Sequence, residues 1–401
     1  MTYSVYQHWD PLKVCIVGRS YSPEFYSFIK NDKVRVVMEK IARETEEDYQ
    51  KLIALLESFG VKVLRPNVSN NYQDHVVNGK IKPPPMTPRD YSIMLGKDFY
   101  FKAEDFFGII KSEWNNWRGA DWPDVPASIN ELHKLSPFIK TELEEWFLKM
   151  PIDNVFKKRN FNVNFYSDLD RFIWGSILDH VACNSDIVNL TIPELKYFNS
   201  ANTTRLGKDI YVGTEYYTED KTNDIITLSE LYPNYRWRSV DTGGHNDGTF
   251  CPVCPGLIIS LEDIPTYANT FPGWEVIYLP GQSWDKVDSF LKLKEKNGGK
   301  WWVPGEELNN EFTEFVESWL NHWVGYVEET VFDVNMLVID RHNVICNNYN
   351  KDVFDAFERY SITPHVVNFR HRYFWDGGLH CITSDLHREG AMQDYFPDRT
   401  S

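Results

Sequence analysis

Leu95-Gly96-Lys97-Asp98-Phe99-Tyr100 returns, slightly changed, as Leu206-Gly207-Lys208-Asp209-Ile210-Tyr211. In both copies a leucine leads into a Gly-Lys-Asp turn and the chain leaves as an apolar run. That is the pattern of a hairpin whose turn contains glycine. Working outward from the first copy, residues 91–95 are the incoming strand and 99–102 the return, behind Pro83-Pro84-Pro85-Met86-Thr87-Pro88-Arg89-Asp90. Two further hairpins are expected. One turns at Pro255-Gly256 and returns over 257–261. The other runs over 336–339, turns at Asp340-Arg341-His342-Asn343 and returns through Val344 and Ile345. A helix over 352–360 and a strand over 365–369 follow it. Nearer the start, 12–18 is a buried strand. Val37, Ile41, Leu52, Leu55, Leu56 and Phe59 then recur at helical spacing over 36–59, Gly60 stops the helix, and 61–64 is a strand. Strand, helix, strand is an α/β unit. The chain therefore reads as a repeated hairpin, helix, strand module, packed about a shared axis in one domain spanning residues 1–401. Residues 103–193 break the pattern and are expected to form a large insertion, as a lid or a dimer contact. A second, helical decoration is expected over 301–325.

Composition excludes several classes. The chain has 401 residues, 42% hydrophobic and 25% charged, which is ordinary for a soluble globular protein. A formal net charge of -16 argues against a nucleic-acid partner and mildly favours cationic ligands. No apolar run is long enough to span a membrane, and the first residues have no signal-peptide pattern. Six scattered cysteines make no disulfide framework, so a cytoplasmic, reducing setting is expected. Cys251-Pro252-Val253-Cys254 has the spacing of a metal or redox pair but lacks a second half, and no metal is expected.

The reactive residues sit at matching places in the repeats. Asp90 precedes the first hairpin, Asn199 and Asn202 the second, and Gly243-Gly244-His245-Asn246-Asp247-Gly248-Thr249 the third. Glu328, Glu329, Asp333 and Asn335 lie before the fourth. Near the C-terminus stands Asp376-Gly377-Gly378-Leu379-His380-Cys381-Ile382-Thr383-Ser384-Asp385, where alternation over 379–384 reads as a short strand presenting Cys381 at or near its end. Modules packed around an axis bring such positions together. A cysteine with a histidine in reach is an activated nucleophile pair. Two carboxylates, Asp90 and Asp247, match the forked donors of a guanidinium. Each residue also has a plain structural alternative: Asp90 and Asp247 as turn residues, His245 as a core histidine, Cys381 as a small apolar residue in a strand.

With those residues in place, the chain resembles the glycine amidinotransferase family of the guanidino-group modifying (pentein) superfamily. The segment Gly377–Gly390 resembles its nucleophile segment, Thr87-Pro88-Arg89-Asp90 its first guanidinium-binding segment, and His245-Asn246-Asp247-Gly248-Thr249-Phe250 its His-x-Asp segment. Trp9-Asp10-Pro11-Leu12 and the strand after it fit its opening. The resemblance implies a five-bladed α/β propeller of pseudosymmetric ββαβ modules with insertions. It also implies a covalent amidino-cysteine intermediate and neither metal nor organic cofactor. Departures are visible. Asn199, in Phe198-Asn199-Ser200-Ala201-Asn202, stands where an acid orienting the histidine is expected. Ile264 stands where an arginine would hold the donor's carboxylate, Glu328 and Glu329 replace a serine pair, and Thr242 and Gly244 replace bulkier residues near the histidine.

The expected activity is an amidinotransferase. Cys381 is the nucleophile, His245 the acid and base, and Asn199 the histidine's partner. Asp90, Asp247, Thr242, Gly244, Glu329 and Asn335 line the substrate. The partners are a guanidino donor such as arginine and an amine acceptor, with a homodimer as a further possibility. A hydrolase on the same scaffold (deiminase or dihydrolase) and a non-catalytic guanidine-binding protein are the alternatives.

Overall fold

The structure, a computed structural model, describes residues 2–77, 80–101, 168–185, 187–190, 198–214, 220–242, 245–261, 266–279, 303–306, 308–320 and 331–399. Strand β1 (Leu12–Val17) leads into helix α1 (Asp32–Ser58) and strand β2 (Lys62–Leu64). Asn31 caps α1 by accepting from the Lys33 N–H, as asparagine does ahead of a helix. Val34, Val37, Met38, Ile41, Tyr49, Leu52 and Leu56 then bury one stripe of α1. They pack against Val17, Leu337, Ile345 and Phe369, so the helix closes over the sheets beside it.

A short hairpin, β3 (Val76–Val77) with β4 (Lys80–Ile81), separates this unit from the next. Helix α2 (Pro88–Tyr91) then delivers the chain into β5 (Ser92–Leu95) and β6 (Asp98–Phe101), with α3 (Asp168–Ala182) and β7 (Ile187–Leu190) beyond. The third unit is β8 (Thr203–Leu206), β9 (Asp209–Thr214), α4 (Asp220–Leu231) and β10 (Arg236–Asp241). The fourth is β11 (Phe250–Cys254), β12 (Leu257–Leu261), α5 (Tyr267–Thr270) and β13 (Glu275–Leu279). The fifth is β14 (Leu337–Asp340), β15 (Asn343–Cys346), α6 (Lys351–Arg359) and β16 (Thr363–Val366). The last strand, β17 (Thr383–Arg388), returns to β1.

Every unit pairs its strands the same way. The first two are antiparallel, and the third lies parallel to the second after a helical crossover. Among the described residues there are five such three-stranded sheets. The echoed Gly-Lys turns work because Gly96 (φ 55°) and Gly207 (φ 65°) take the left-handed backbone that a two-residue hairpin loop demands. Strands β5, β6 and β8 lie almost wholly inside, as crossover-covered sheets require.

The remaining unit is assembled from both ends of the chain. β1 lies between β17, antiparallel, and β2, parallel, with Val17 opposite Thr383 and Leu12 opposite Arg388. Of the strand expected over 379–384 only Thr383 and Ser384 are extended, as the start of β17, and Cys381 lies just ahead of it. The Ile382 N–H donates to the Gly378 carbonyl and the Thr383 N–H to the His380 carbonyl, so Cys381 sits in a turn, and β17 starts at Thr383. Of the interval 103–193, α3 and β7 complete the second unit, while residues 103–167 and 191–193 lie outside the described residues. Of the interval 301–325, the described part forms a helix over Asn310–Phe315 and a wider turn over Val316–Leu320.

A buried ionic cluster ties four units together. Asp385 on β17 accepts from Arg205 on β8 at 2.7 Å and from Arg388 at 2.7 Å, and Arg89 on α2 lies 3.5 Å away. Arg205 also donates to the Met94 carbonyl on β5, and Arg388 to the Val338 carbonyl on β14. Burial opposes ionisation of Asp385, but Arg205, Arg388 and Arg89 outweigh it and hold the carboxyl well below its usual range. Among the described residues no helix is long and apolar enough to cross a membrane.

Candidate active site

The turn that carries Cys381 is held from both sides. The Arg89 Nε donates to the carbonyls of His380 and Thr383, 2.9 Å from each, and the Gly18 N–H donates to the Ile382 carbonyl. On the other face stands Asn335, just before β14. Its Oδ1 accepts from the N–H groups of His380 (2.9 Å) and Cys381 (3.2 Å). Its Nδ2 donates to the Asp247 carbonyl (3.0 Å) and lies 3.0 Å from the Cys381 Sγ. A Cβ on Gly378 would come within 2.5 Å of the Asn335 Oδ1, so the second glycine is what lets Asn335 approach. Asn335 was expected at the substrate; its described side-chain contacts are with the Cys381 turn and the Asp247 carbonyl.

Asp247 belongs to a 3-10 turn, Asn246–Gly248, at the mouth of β11. Its Oδ2 faces the thiol at 3.4 Å and the His380 Nδ1 at 2.9 Å. Its Oδ1 is buried with no hydrogen-bond partner. Asp90, on α2, likewise keeps a buried and unpartnered Oδ1, which lies 3.9 Å from the His245 Nδ1. That is too long for a hydrogen bond but close enough for electrostatic attraction. His245 is half exposed, so it stands where the site meets solvent. The four residues read as Cys381, His245, Asp90 and Asp247 thus come from three different units and meet.

Their ionisation states follow from burial and from one another. Burial raises the Asp90 carboxyl, and Asp247 adds to the rise while His245 and Thr87 oppose it. For Asp247 burial also works against ionisation, but the His380 hydrogen bond and charge outweigh it and leave the carboxyl below its usual value. The Cys381 thiol is pushed well up by burial, then by Asp247 and Asp90. Burial first, and then the two carboxylates with orphan oxygens, therefore favour the thiol over the thiolate.

Other expected residues are placed differently. The Asn199 Oδ1 accepts from the N–H groups of Ala201 (3.0 Å) and Asn202 (2.9 Å), so it caps its own turn. Thr242 is buried, and its carbonyl accepts from the Thr249 hydroxyl, bracing the turn behind His245. Gly244, Glu328, Glu329 and Ile264 lie outside the described residues. His380 had no role in the sequence reading, though its position next to Cys381 was the available signal.

Compared with curated proteins, the chain is 23% identical over 428 residues to the mitochondrial glycine amidinotransferase of Gallus gallus, covering 98% of this chain and 84% of that one. It is 20% identical over 434 residues to the L-arginine:L-lysine amidinotransferase of Pseudomonas savastanoi pv. phaseolicola, covering 98% and 96%. Its relatives are amidinotransferases. The amidinotransferase resemblance drawn from the Cys381, Asp90 and His245-Asn246-Asp247 segments thus extends along the chain. Among solved structures, the inosamine-phosphate amidinotransferase of Streptomyces griseus superposes with a TM-score of 0.59 at 16% identity, covering 98% of this chain and 99% of that one. An amidinotransferase from Microseira wollei, of the saxitoxin biosynthetic pathway, gives 0.55 at 18%, again covering 98% and 99%. The mixed α/β fold is therefore that of these amidinotransferases. No family model matches the chain.

Proposed function

We propose that this protein moves an amidino group from arginine, or a similar guanidino donor, to an amine acceptor by way of Cys381. The observation that carries the reading is the pair of buried, unpartnered carboxylate oxygens, on Asp90 and Asp247, set around a thiol. Unpaired buried carboxylate oxygens are costly unless a cation arrives to meet them. A guanidinium brings one positive charge and N–H donors in a plane, and it leaves its central carbon open to the sulfur.

The chemistry then follows in order. The bound cation offsets the two negative charges that, together with burial, keep Cys381 protonated, so donor binding favours the thiolate. The Asn335 amide stabilises the sulfur as its proton passes to His245, which then holds the proton the departing amine needs. Thiolate attacks the guanidinium carbon, the C–N bond to the departing amine breaks, and His245 supplies that amine's proton. An amidino group is left on sulfur. The incoming amine gives a proton back to His245, attacks the same carbon and expels the thiolate. One residue serves both halves because the two half-reactions mirror each other. In this reading the five ββαβ units are blades of one propeller, with the site at its axis.

Intact-protein mass spectrometry tests the proposal. Mixing with arginine alone is expected to add one amidino group on the Cys381 peptide, absent in Cys381→Ala, and a matching amine should discharge it into a guanidino product. Citrulline or urea released without any amine would replace transfer by hydrolysis. Folded protein that forms no adduct with any of several guanidino donors would refute the catalytic reading.

A further inference from the structure

We propose that His380 is a positioning residue, whose Nδ1–H fixes the Asp247 carboxylate between the thiol and the guanidinium of the donor. The inference takes its substrate from the amidino-transfer reading, while its geometry stands without it. Asp247 Oδ2 is shared by two neighbours on one turn, His380 Nδ1 at 2.9 Å and Cys381 Sγ at 3.4 Å. A carboxylate only accepts, so the ring nitrogen facing it is the protonated one. The imidazole is itself fixed. Its backbone N–H is bonded to Asn335, its carbonyl to Arg89, and its ring lies 5.9 Å from that of His8. It therefore aims Oδ2 at the sulfur side and leaves Oδ1, which has no partner, for the ligand.

The choice of histidine matters. Burial and Arg89 push the His380 ring down to about 4, against the pull of Asp247, so it is neutral at ordinary pH. A neutral donor orients a carboxylate without cancelling its charge. A lysine or arginine in the same place would spend that charge before the donor arrived. The other charged groups around the pair are Arg89 and Asp90 from α2, Arg205 on β8, Asp385 on β17, His8 before β1 and His245 at the mouth of the site. Removing the ring acts on the thiol through Asp247, whose carboxyl the His380 hydrogen bond holds down, so a change in pH behaviour reports on that bond.

The test measures iodoacetamide alkylation of Cys381 against pH, read on its own peptide because Cys183 is also free and exposed. With the ring's N–H removed in His380→Leu, Asp247 becomes a stronger acceptor for the S–H, and the alkylation midpoint moves to higher pH. The kcat/KM for arginine falls about tenfold or more, the size of a lost hydrogen bond to a charged group. His380→Asn keeps an amide N–H near the Nδ1 position, and both measurements stay near wild type. Unchanged values in His380→Leu, or an Asn variant as impaired as the Leu one, overturn the proposal. Should His380→Leu not fold, His380→Gln carries the same amide one carbon further out, and identical profiles for Asn and Gln overturn it equally. A wild-type protein that makes no amidino adduct refutes the transfer reading, while the alkylation midpoints still decide the role of His380.

Discussion

Replacing Asp90 by asparagine removes one charge and almost nothing else, and the site's geometry gives it two effects of opposite sign. The Asp90 Oδ1 is buried, has no hydrogen-bond partner and lies 3.9 Å from His245, so this oxygen is open to the N–H donors of a cation. Losing a charge-assisted contact to the guanidinium is worth ~1.5–3 kcal/mol, or a drop of about 10- to 150-fold in kcat/KM for the donor. Before a donor binds, however, Asp90 adds to burial and Asp247 in holding the Cys381 thiol up. Taking its charge away lowers the thiol pKa, so alkylation of Cys381 at neutral pH becomes faster. Burial also raises Asp90 itself, so the wild-type kcat/KM should fall as pH drops through that raised value, and the variant should lose this acid limb. Steady-state kinetics with arginine and iodoacetamide trapping check the two halves. A variant within twofold of wild type in kcat/KM would make Asp90 a turn residue, and slower alkylation would refute the account of the thiol's field.

Gly378→Ala places a methyl 2.5 Å from the Asn335 Oδ1 and must displace that side chain from the thiol. Misplacement of this kind costs on the order of 100-fold in turnover, to be read as kcat for amidino transfer beside a thermal melt that shows the protein still folded. Acid stability is a separate matter. His75 and His380 are both lowered to about 4 and His8 well below its usual value, each mainly by burial, so the unfolded chain binds their protons first. Their stabilisation is complete above about pH 6.5 and is lost as pH falls towards 4. Urea midpoints at pH 7 and pH 5 should differ in that direction, and equal midpoints would contradict it.

Much of the architecture was legible because its signals are local. A Gly-Lys-Asp turn ahead of an apolar run is readable in six residues, and all four expected hairpins are present. Residues 379–382 misled because they alternate like a strand, while the contacts that bend them come from Asn335, Arg89 and Gly18. Helix α3 and β7 were hidden in an interval whose composition differs from its surroundings. At the site, Asp90, Asp247, His245 and Cys381 were marked by position in the repeat. The bond from His380 to Asp247 and the four bonds of Asn335 join units far apart in sequence, and no local pattern announces them. Asn199 was assigned by register with the family pattern, and its own backbone claims its oxygen.

The pairing of β1 with β17 has a consequence for how the protein comes into being. A ribosome makes β1 and β2 early, yet the strand that fills the open edge of β1 arrives hundreds of residues later. Until then the early unit exposes an unpaired edge, which is an aggregation hazard in any nascent chain. The same late segment brings Cys381, His380 and the Asp385 that gathers Arg89 and Arg205. Closing the first sheet and seating the Cys381 thiol beside Asp247 therefore depend on the same late segment. A chain stopped before residue 380 lacks the thiol that faces Asp247, and one stopped at Ile382 has it without the β17 pairing that anchors its turn against β1.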